Sequence, residues 1–373
     1  MKPFVDTCIR FFKKETVLCI AGFLAFISAF FVHPSAAYMG YIDFRVLSLL
    51  FSLMLVVAGF QSIGLFHCLG SALLTKVHTT RQLILVLSLL CFFSSMFITN
   101  DVALLTFVPF AIMILTMAGQ QKLLISTIVL QTIGANLGSM FTPVGNPQNL
   151  YLASAFSLST GTFLIRMFPL TALSLVLLVA AACMLPSTPV DIASQTAAER
   201  PEPKKLAVYL VLFMTCLGCV SHLIPYPVML VLVLITLLFI NRTLFQKADY
   251  FLLLTFVFFF LFIGNVQNIP AVSDLLHKLI RGRELGAGIL LSQCISNVPA
   301  AILLSGFTDK VTPLLYGVNI GGLGTLIASL ASLISYRFYV GTENAHTGRY
   351  MKVFTLYNVI FLIILALVAW KIL

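Results

Sequence analysis

Apolar runs separated by basic or turn-forming residues recur along the whole chain, at about 16–32, 44–64, 83–98, 102–117, 123–156, 162–185, 206–223, 227–241, 250–266, 285–308, 313–335 and 353–370. The runs at 123–156, 285–308 and 313–335 are interrupted by Gly, Pro, Asn and Ser. A hydrocarbon core about 30 Å thick takes roughly 20 apolar residues per helix, so the pattern predicts helices that cross a bilayer many times. The first run, Thr16 to Val32, follows Lys2, Arg10, Lys13 and Lys14, as the core of a signal peptide would. It is longer than the roughly 7–15 apolar residues of such a core and reads instead as a first membrane helix with a cytoplasmic N-terminus. Residues 1–15 then form an interfacial segment along the membrane surface. The one clear linker is 186–205, with prolines at 186, 189, 201 and 203 and six charges, and it divides the chain near its middle.

Composition narrows the function classes. Of all residues, 60% are hydrophobic and only 9% charged, against about 25% charged in a soluble domain. Too few charges remain to cover a water-exposed surface, which excludes a soluble enzyme, a nucleic-acid binder and a disordered tail. The net charge of +10 fits Lys and Arg gathered in cytoplasmic loops, so no nucleic-acid partner is expected. Nearly all of the eight cysteines fall in apolar stretches and read as small packing residues. Cys216 and Cys219 have metal-like spacing but no second pair, and the histidines lie at span ends or in loops, so no protein-held metal is expected. No cluster of His, Cys or acidic residues near one membrane face points to an enzyme.

The two halves echo each other. Gly134, Asn136 and Gly138, followed by Thr142, Gly145 and Asn146, match Gly317, Asn319 and Gly321, followed by Thr325, Ala328 and Ser329, each pair 183 residues apart. Upstream, Ile98-Thr99-Asn100-Asp101 pairs with Ile295-Ser296-Asn297-Val298 at an offset of 197. Charge positions set the topology. Asp101 is the only charge between Arg81 and Lys122, and the 24 residues between Glu284 and Asp309 carry none. In the second stretch, Ser296-Asn297-Val298-Pro299 follows an uncharged arm of 11 residues. At 1.5 Å per residue that arm reaches about 16 Å, half the hydrocarbon thickness. It can enter, turn and leave, but not cross. Treating 83–117 and 285–308 as re-entrant hairpins makes loops 65–82, 118–122, 186–205, 242–249 and 336–352 cytoplasmic and rich in Lys and Arg, with loop 267–285 as the exception.

The expected fold is therefore an all-α polytopic membrane protein of about nine transmembrane helices, two re-entrant hairpins and broken helices. Residues 16–185 form a first repeat, 186–205 a cytoplasmic linker, 206–223 a connecting helix, and 227–373 a second repeat of opposite orientation. Inverted repeats of this kind belong to secondary transporters, whose site lies at midplane between the repeats.

Four motifs look like helix N-termini set inside apolar sequence: Thr99-Asn100-Asp101, the run from Thr142 to Asn149, Ser296-Asn297-Val298-Pro299, and Gly321-Gly322-Leu323-Gly324-Thr325. Ser, Thr, Asn and Asp cap helices, and Pro suits the first turn. Backbone broken at membrane depth is tolerated where protein buries it or a wet cavity adjoins it. Its free N–H groups and positive dipole ends bind anions. Thr99, Asn100, Asn136, Thr142, Gly145, Asn146, Asn149, Ser296, Asn297, Pro299, Asn319, Gly324, Thr325 and Ser329 are thus the candidate substrate-binding residues. Asp101 is the costly one. Insertion scales charge about 2.5–3.5 kcal/mol for Asp at a helix centre, and with no local Lys or Arg it invites a proton or Na+. It is the candidate ion-coupling residue, with a candidate Na+ position near Asn100, Asp101 and Asn146. Arg166 sits near a membrane boundary, where Arg more often reaches for the interface than binds an anion.

Asn100-Asp101, Gly134-Ala135-Asn136-Leu137-Gly138 with the run Thr142 to Asn149, Ser296-Asn297-Val298-Pro299 and Gly317-Val318-Asn319-Ile320-Gly321 resemble the ion transporter superfamily. That group includes arsenite permeases, citrate–metal transporters and divalent anion–sodium symporters. The likeness spans roughly residues 16–370 and looks closest to the arsenite-permease-like branch. It implies two hairpins meeting at a central site, a homodimer with a scaffold domain, and elevator-type movement. The sodium–dicarboxylate branch has Ser-Asn-Thr at both hairpin tips, whereas Thr99-Asn100-Asp101 and Ser296-Asn297-Val298 stand here. A hydroxyl lost and a carboxylate gained favour protons over two sodium sites.

The function expected is secondary-active transport of a small anion, either a carboxylate or an inorganic oxyanion. It is coupled to H+ or Na+ across the cell (inner) membrane and uses no other cofactor. Efflux of neutral arsenite or antimonite, and Na+/H+ antiport centred on Asp101, are alternatives that the same residues leave open.

Overall fold

The computed structural model describes residues 15–74, 77–190, 201–343 and 345–373. The expected interfacial segment, save its last residue, and the middle of the 186–205 linker lie outside the described residues. Helices α1 (Thr16–Phe31), α2 (Phe44–Ser62) and α3 (Leu65–Leu74) precede a pair, α4 (Thr80–Ile98) and α5 (Asn100–Met117). A broken helix follows, α6 (Leu124–Ser139) and α7 (Pro147–Ala155), and then α8 (Thr160–Cys183). After the linker come α9 (Pro203–Val220), α10 (Tyr226–Ile240), α11 (Tyr250–Gln267) and α12 (Pro270–Ile280). A second pair, α13 (Glu284–Ile295) and α14 (Asn297–Ser305), leads to a second broken helix, α15 (Val311–Ile320) and α16 (Leu330–Val340), and to α17 (Thr347–Ile372).

The protein is an all-α polytopic membrane protein. Among the described residues seven helices are long and apolar enough to cross a bilayer: α2, α4, α5, α8, α9, α11 and α17. Local chemistry sets their starts. Asp43, Ser159 and Asp249 accept the backbone N–H of Val46, Thr162 and Leu252, capping α2, α8 and α11. Thr79 and Gln82 form a reciprocal capping box at the start of α4.

Three expectations change. The loop expected at 65–82 contains α3, because Phe66, Gly70 and Leu74 share one face that packs into the core. The loop expected at 267–285 contains α12, which starts at Pro270 and buries only Ile280, leaving Leu275 and Leu279 exposed. The first pair is also longer than its apolar runs: the capping box starts α4 before residue 83, and Asn100 and Asp101 are already helical. Its arms of 19 and 18 residues contrast with 12 and 9 in the second pair.

Packing places α6 at the centre. Every α6 residue but Ser126 is buried, between α4, α5, α8, α16 and α17. Each pair packs against the broken helix that follows it, α4 and α5 on α6, α13 and α14 on α15. The contacts then cross over: α5 packs on α16 and α14 packs on α7. The two halves thus meet where both helices are broken.

Candidate functional site

The two pairs turn through the same strained backbone. Thr99 has φ 70° and ψ 151°, and Ser296 has φ 74° and ψ 155°, a region that L residues other than glycine rarely enter. Each turn is then tied to the break of the following helix. The backbone N–H of Asn100 donates to the Gly145 carbonyl at 3.2 Å, and that of Asn297 to the Ala328 carbonyl at 3.0 Å. Thr142 Oγ1 donates to the Met96 carbonyl, and Thr325 Oγ1 donates to the Gln293 carbonyl at 3.3 Å. Residues related by the offsets of 183 and 197 therefore make equivalent bonds.

A buried amide network joins the halves. Asn146 caps α7 by accepting the Asn149 N–H at 2.9 Å, while its Nδ2 donates to Ser139 Oγ and to Asn319 Oδ1, each at 3.2 Å. In the reciprocal direction, Ser329, at the start of α16, donates through Oγ to Asn136 Oδ1 at 2.9 Å. Asn136 Oδ1 also accepts from Asn100 Nδ2 at 3.0 Å. Asn319 Nδ2 donates to Asn149 Oδ1 at 2.7 Å and to the Leu315 carbonyl at 2.8 Å. Asn149 Nδ2 faces the carbonyls of Ser139, Met140 and Thr142 at 3.2–3.4 Å, holding the broken segment in place. The six residues Asn100, Asn136, Asn146, Asn149, Asn319 and Ser329 are all at most 5% exposed.

Close backbone contact makes this possible at two glycines. A Cβ on Gly138 would run into the Phe92 carbonyl, and one on Gly145 into the Ser139 carbonyl, so only glycine allows α4 and the broken segment to approach α6 this closely.

Not every candidate residue enters the network. Thr99 shapes the turn through its backbone and makes no capping bond. Ser296 is buried and donates weakly toward the Ala328 carbonyl and Asn297 Oδ1, each at 3.4 Å. Pro299 is buried in the first turn of α14, where it needs no N–H donor. Gly324 takes φ 104°, and Thr325 is exposed. The half-buried Asp101 stands beside the network: its N–H donates to Asn100 Oδ1 at 3.0 Å, and among the described residues no hydrogen bond or ion pair to its carboxylate is found. Arg166 lies outside it, its carbonyl accepting from Tyr316 Oη at 2.7 Å. Sequence reasoning missed Gln293. Its Nε2 donates to the carbonyls of Gly321 and Leu323, and its Oε1 accepts the Thr325 N–H, all at 2.9 Å. An amide inside an otherwise apolar arm was the available signal.

Four helix starts (α5, α7, α14 and α16) thus carry the residues that tie the pairs to the broken helices, with amide and hydroxyl groups that both donate and accept. Such a set can exchange its internal bonds for bonds to a small polar solute.

The citrate transporter family matches residues 13–313. The chain is 32% identical over 332 residues to an uncharacterized transporter of Methanocaldococcus jannaschii, covering 87% of this chain and 88% of the relative. It is 32% identical over 343 residues to the inner membrane protein YbiR of Escherichia coli, covering 89% and 88%. The silicon efflux transporter LSI3 of Oryza sativa is 32% identical over 129 residues, 34% of this chain and 26% of that protein.

Proposed function

This chain belongs to the citrate transporter family of the ion transporter superfamily and is a membrane transporter, and from that premise we propose that it moves a small anion by secondary-active transport coupled to H+ or Na+. The cargo is a carboxylate or an inorganic oxyanion, and the membrane is the inner or cell membrane with the N-terminus cytoplasmic. The observation that carries this reading is the two-way exchange across the halves, Asn146 to Asn319 and Ser329 to Asn136, at the starts of buried helices. Helix starts favour negative charge, and amide donors complete the shell around it. Equal turns at Thr99 and Ser296, with equivalent bonds around them, support two re-entrant hairpins in repeats of opposite orientation. In this reading the hairpins open alternately to the two sides and the hairpin domain moves as an elevator within a homodimer. Asp101, beside the network with no partner for its carboxylate among the described residues, takes the coupling proton, or Na+ together with Asn100 and Asn146.

A second reading has one observation in its favour. The network contains no charged side chain, and part of the chain is similar to a protein named for silicon efflux. A neutral hydroxylated solute, arsenite or antimonite among them, would suit amide and hydroxyl ligands without a committed cation.

Uptake into proteoliposomes separates the two readings. Labelled citrate, sulfate, phosphate and arsenite are offered under an imposed pH or Na+ gradient. Gradient-dependent entry of one of the anions, lost in Asn136→Ala and Asn319→Ala, is the expected result. Flux of arsenite alone selects the second reading, and flux of none refutes both.

A further inference from the structure

The buried polar atoms without a partner among the described residues include a group on three adjacent helices: Asn136 Nδ2 on α6, Ser332 Oγ and Ser335 Oγ on α16, and Tyr350 Oη and Asn358 Oδ1 on α17. Each of these residues is at most 4% exposed. The spacing aligns them. Ser329, Ser332 and Ser335 recur every three residues along one face of α16, which packs on α6, and α17 packs on α6 as well. Asn136 is reached by Ser329 at the upper end. At the lower end the Tyr350 ring stacks on Tyr339 with centroids 4.8 Å apart, and Tyr339 Oη accepts the backbone N–H of the exposed His346 at 2.9 Å. The Tyr350 hydroxyl faces Thr132, one turn of α6 from Asn136.

The repeat explains where the unpaired atoms begin. Asn319 and Asn136 are counterparts, as are Ser332 and Asn149, by the same 183-residue offset. Asn319 Nδ2 reaches Asn149 Oδ1 at 2.7 Å. In the counterpart pair the place of Asn149 is taken by Ser332, whose oxygen is one bond closer to the backbone, shorter by about 1.2 Å. Asn136 Nδ2 and Ser332 Oγ are both left unpaired, and a buried amide or hydroxyl costs about 1–3 kcal/mol in that condition. A buried water with two to four polar partners removes such a cost.

We propose that internal water binds between Asn136 and Ser332 and continues as a row past Ser335 to Tyr350, joining the amide network to the surface at His346. The ligand of this site is water. Hydroxyls and waters in a row also relay protons, and that role alone rests on the H+-coupled reading above.

Radiolytic hydroxyl footprinting of the full-length protein in lipid nanodiscs, read by mass spectrometry, tests the row, because bound water generates the oxidant where it sits. After correction for intrinsic reactivity, Tyr350 is expected to oxidise at least about tenfold faster than Phe163 and Phe256, which are equally buried but lie on α8 and α11, away from the row. Ser335→Val is expected to bring Tyr350 down at least about fivefold, with helicity and melting temperature retained. Thr132→Val, on the facing helix, does the same if the first variant fails to fold. Tyr350 oxidising no faster than Phe256 overturns the row and leaves the transport reading untouched. Fast Tyr350 oxidation in a protein whose transport ignores pH keeps the row and removes the proton role.

Discussion

Asn319 is the amide on which the two halves depend most directly, and its truncation has a calculable cost. Asn319→Ala removes the bond from Asn319 Nδ2 to Asn149 Oδ1 at 2.7 Å and the bond from Asn146 Nδ2 to Asn319 Oδ1 at 3.2 Å. Asn146 keeps Ser139 Oγ as an acceptor, but Asn149 Oδ1 is stranded in a buried site. Interhelical hydrogen bonds in membrane proteins average about 0.6 kcal/mol, so two of them alone give about 1.2 kcal/mol. Stranding the Asn149 carbonyl adds about 1–3 kcal/mol and dominates, for an expected loss of about 2–4 kcal/mol in total. Reversible unfolding in mixed bicelles by added SDS, followed by helical circular dichroism, measures it. A double-mutant cycle with Asn149→Ala should return a coupling of about 1–2 kcal/mol, because the two residues touch. Asn319→Ala costing less than about 1 kcal/mol, with no coupling to Asn149, would refute the claim that the amide network holds the halves together.

Three further outcomes follow from the same geometry. Gly145→Ala drives a Cβ into the Ser139 carbonyl and should destabilise by about 1–3 kcal/mol; Gly161→Ala, which meets nothing within 4 Å, should be neutral in the same SDS titration. Thr99→Gly relieves the positive φ of 70° and should stabilise by about 1 kcal/mol after the entropy cost of glycine; reduced stability in that variant would show that the side chain, not the backbone, sets the turn. Asp101→Asn keeps the shape of the first turn of α5 but cannot ionise, so uptake should lose its response to an imposed pH or Na+ gradient. Unchanged gradient dependence in that variant would remove Asp101 from coupling.

Much of this arrangement can be read from the chain because it is local. The turns at Thr99 and Ser296 announce themselves as capping residues interrupting apolar sequence, and the offset of 183 residues anticipates which carbonyls accept from them. Asn136, Asn146, Asn319 and Ser329 are visible as polar residues at matched positions. What is not visible is which of them meet, since Asn146 finds Asn319 at a separation of 173 residues and only the crossed packing of α7, α14, α15 and α16 decides that. The helices α3 and α12 escape for a different reason: each is short, and its apolar face is too brief to stand out from the surrounding turns. Gln293 escapes because its function is tertiary, three bonds to a segment about 30 residues away that no local periodicity records.

The near-saturation of the crossing amides has a thermodynamic consequence. Asn100, Asn146, Asn149, Asn319 and Ser329 already satisfy one another or nearby backbone, so an arriving solute enters an exchange rather than an addition. Apart from Asn136 Nδ2, which has no partner among the described residues, each contact it makes costs one the protein already had, and the balance is small. Weak retention and rapid release are then intrinsic to the site. Discrimination works by penalty: a solute that re-engages the amide N–H groups it displaces keeps the balance near zero, whereas one that leaves a buried group stranded loses about 1–3 kcal/mol apiece.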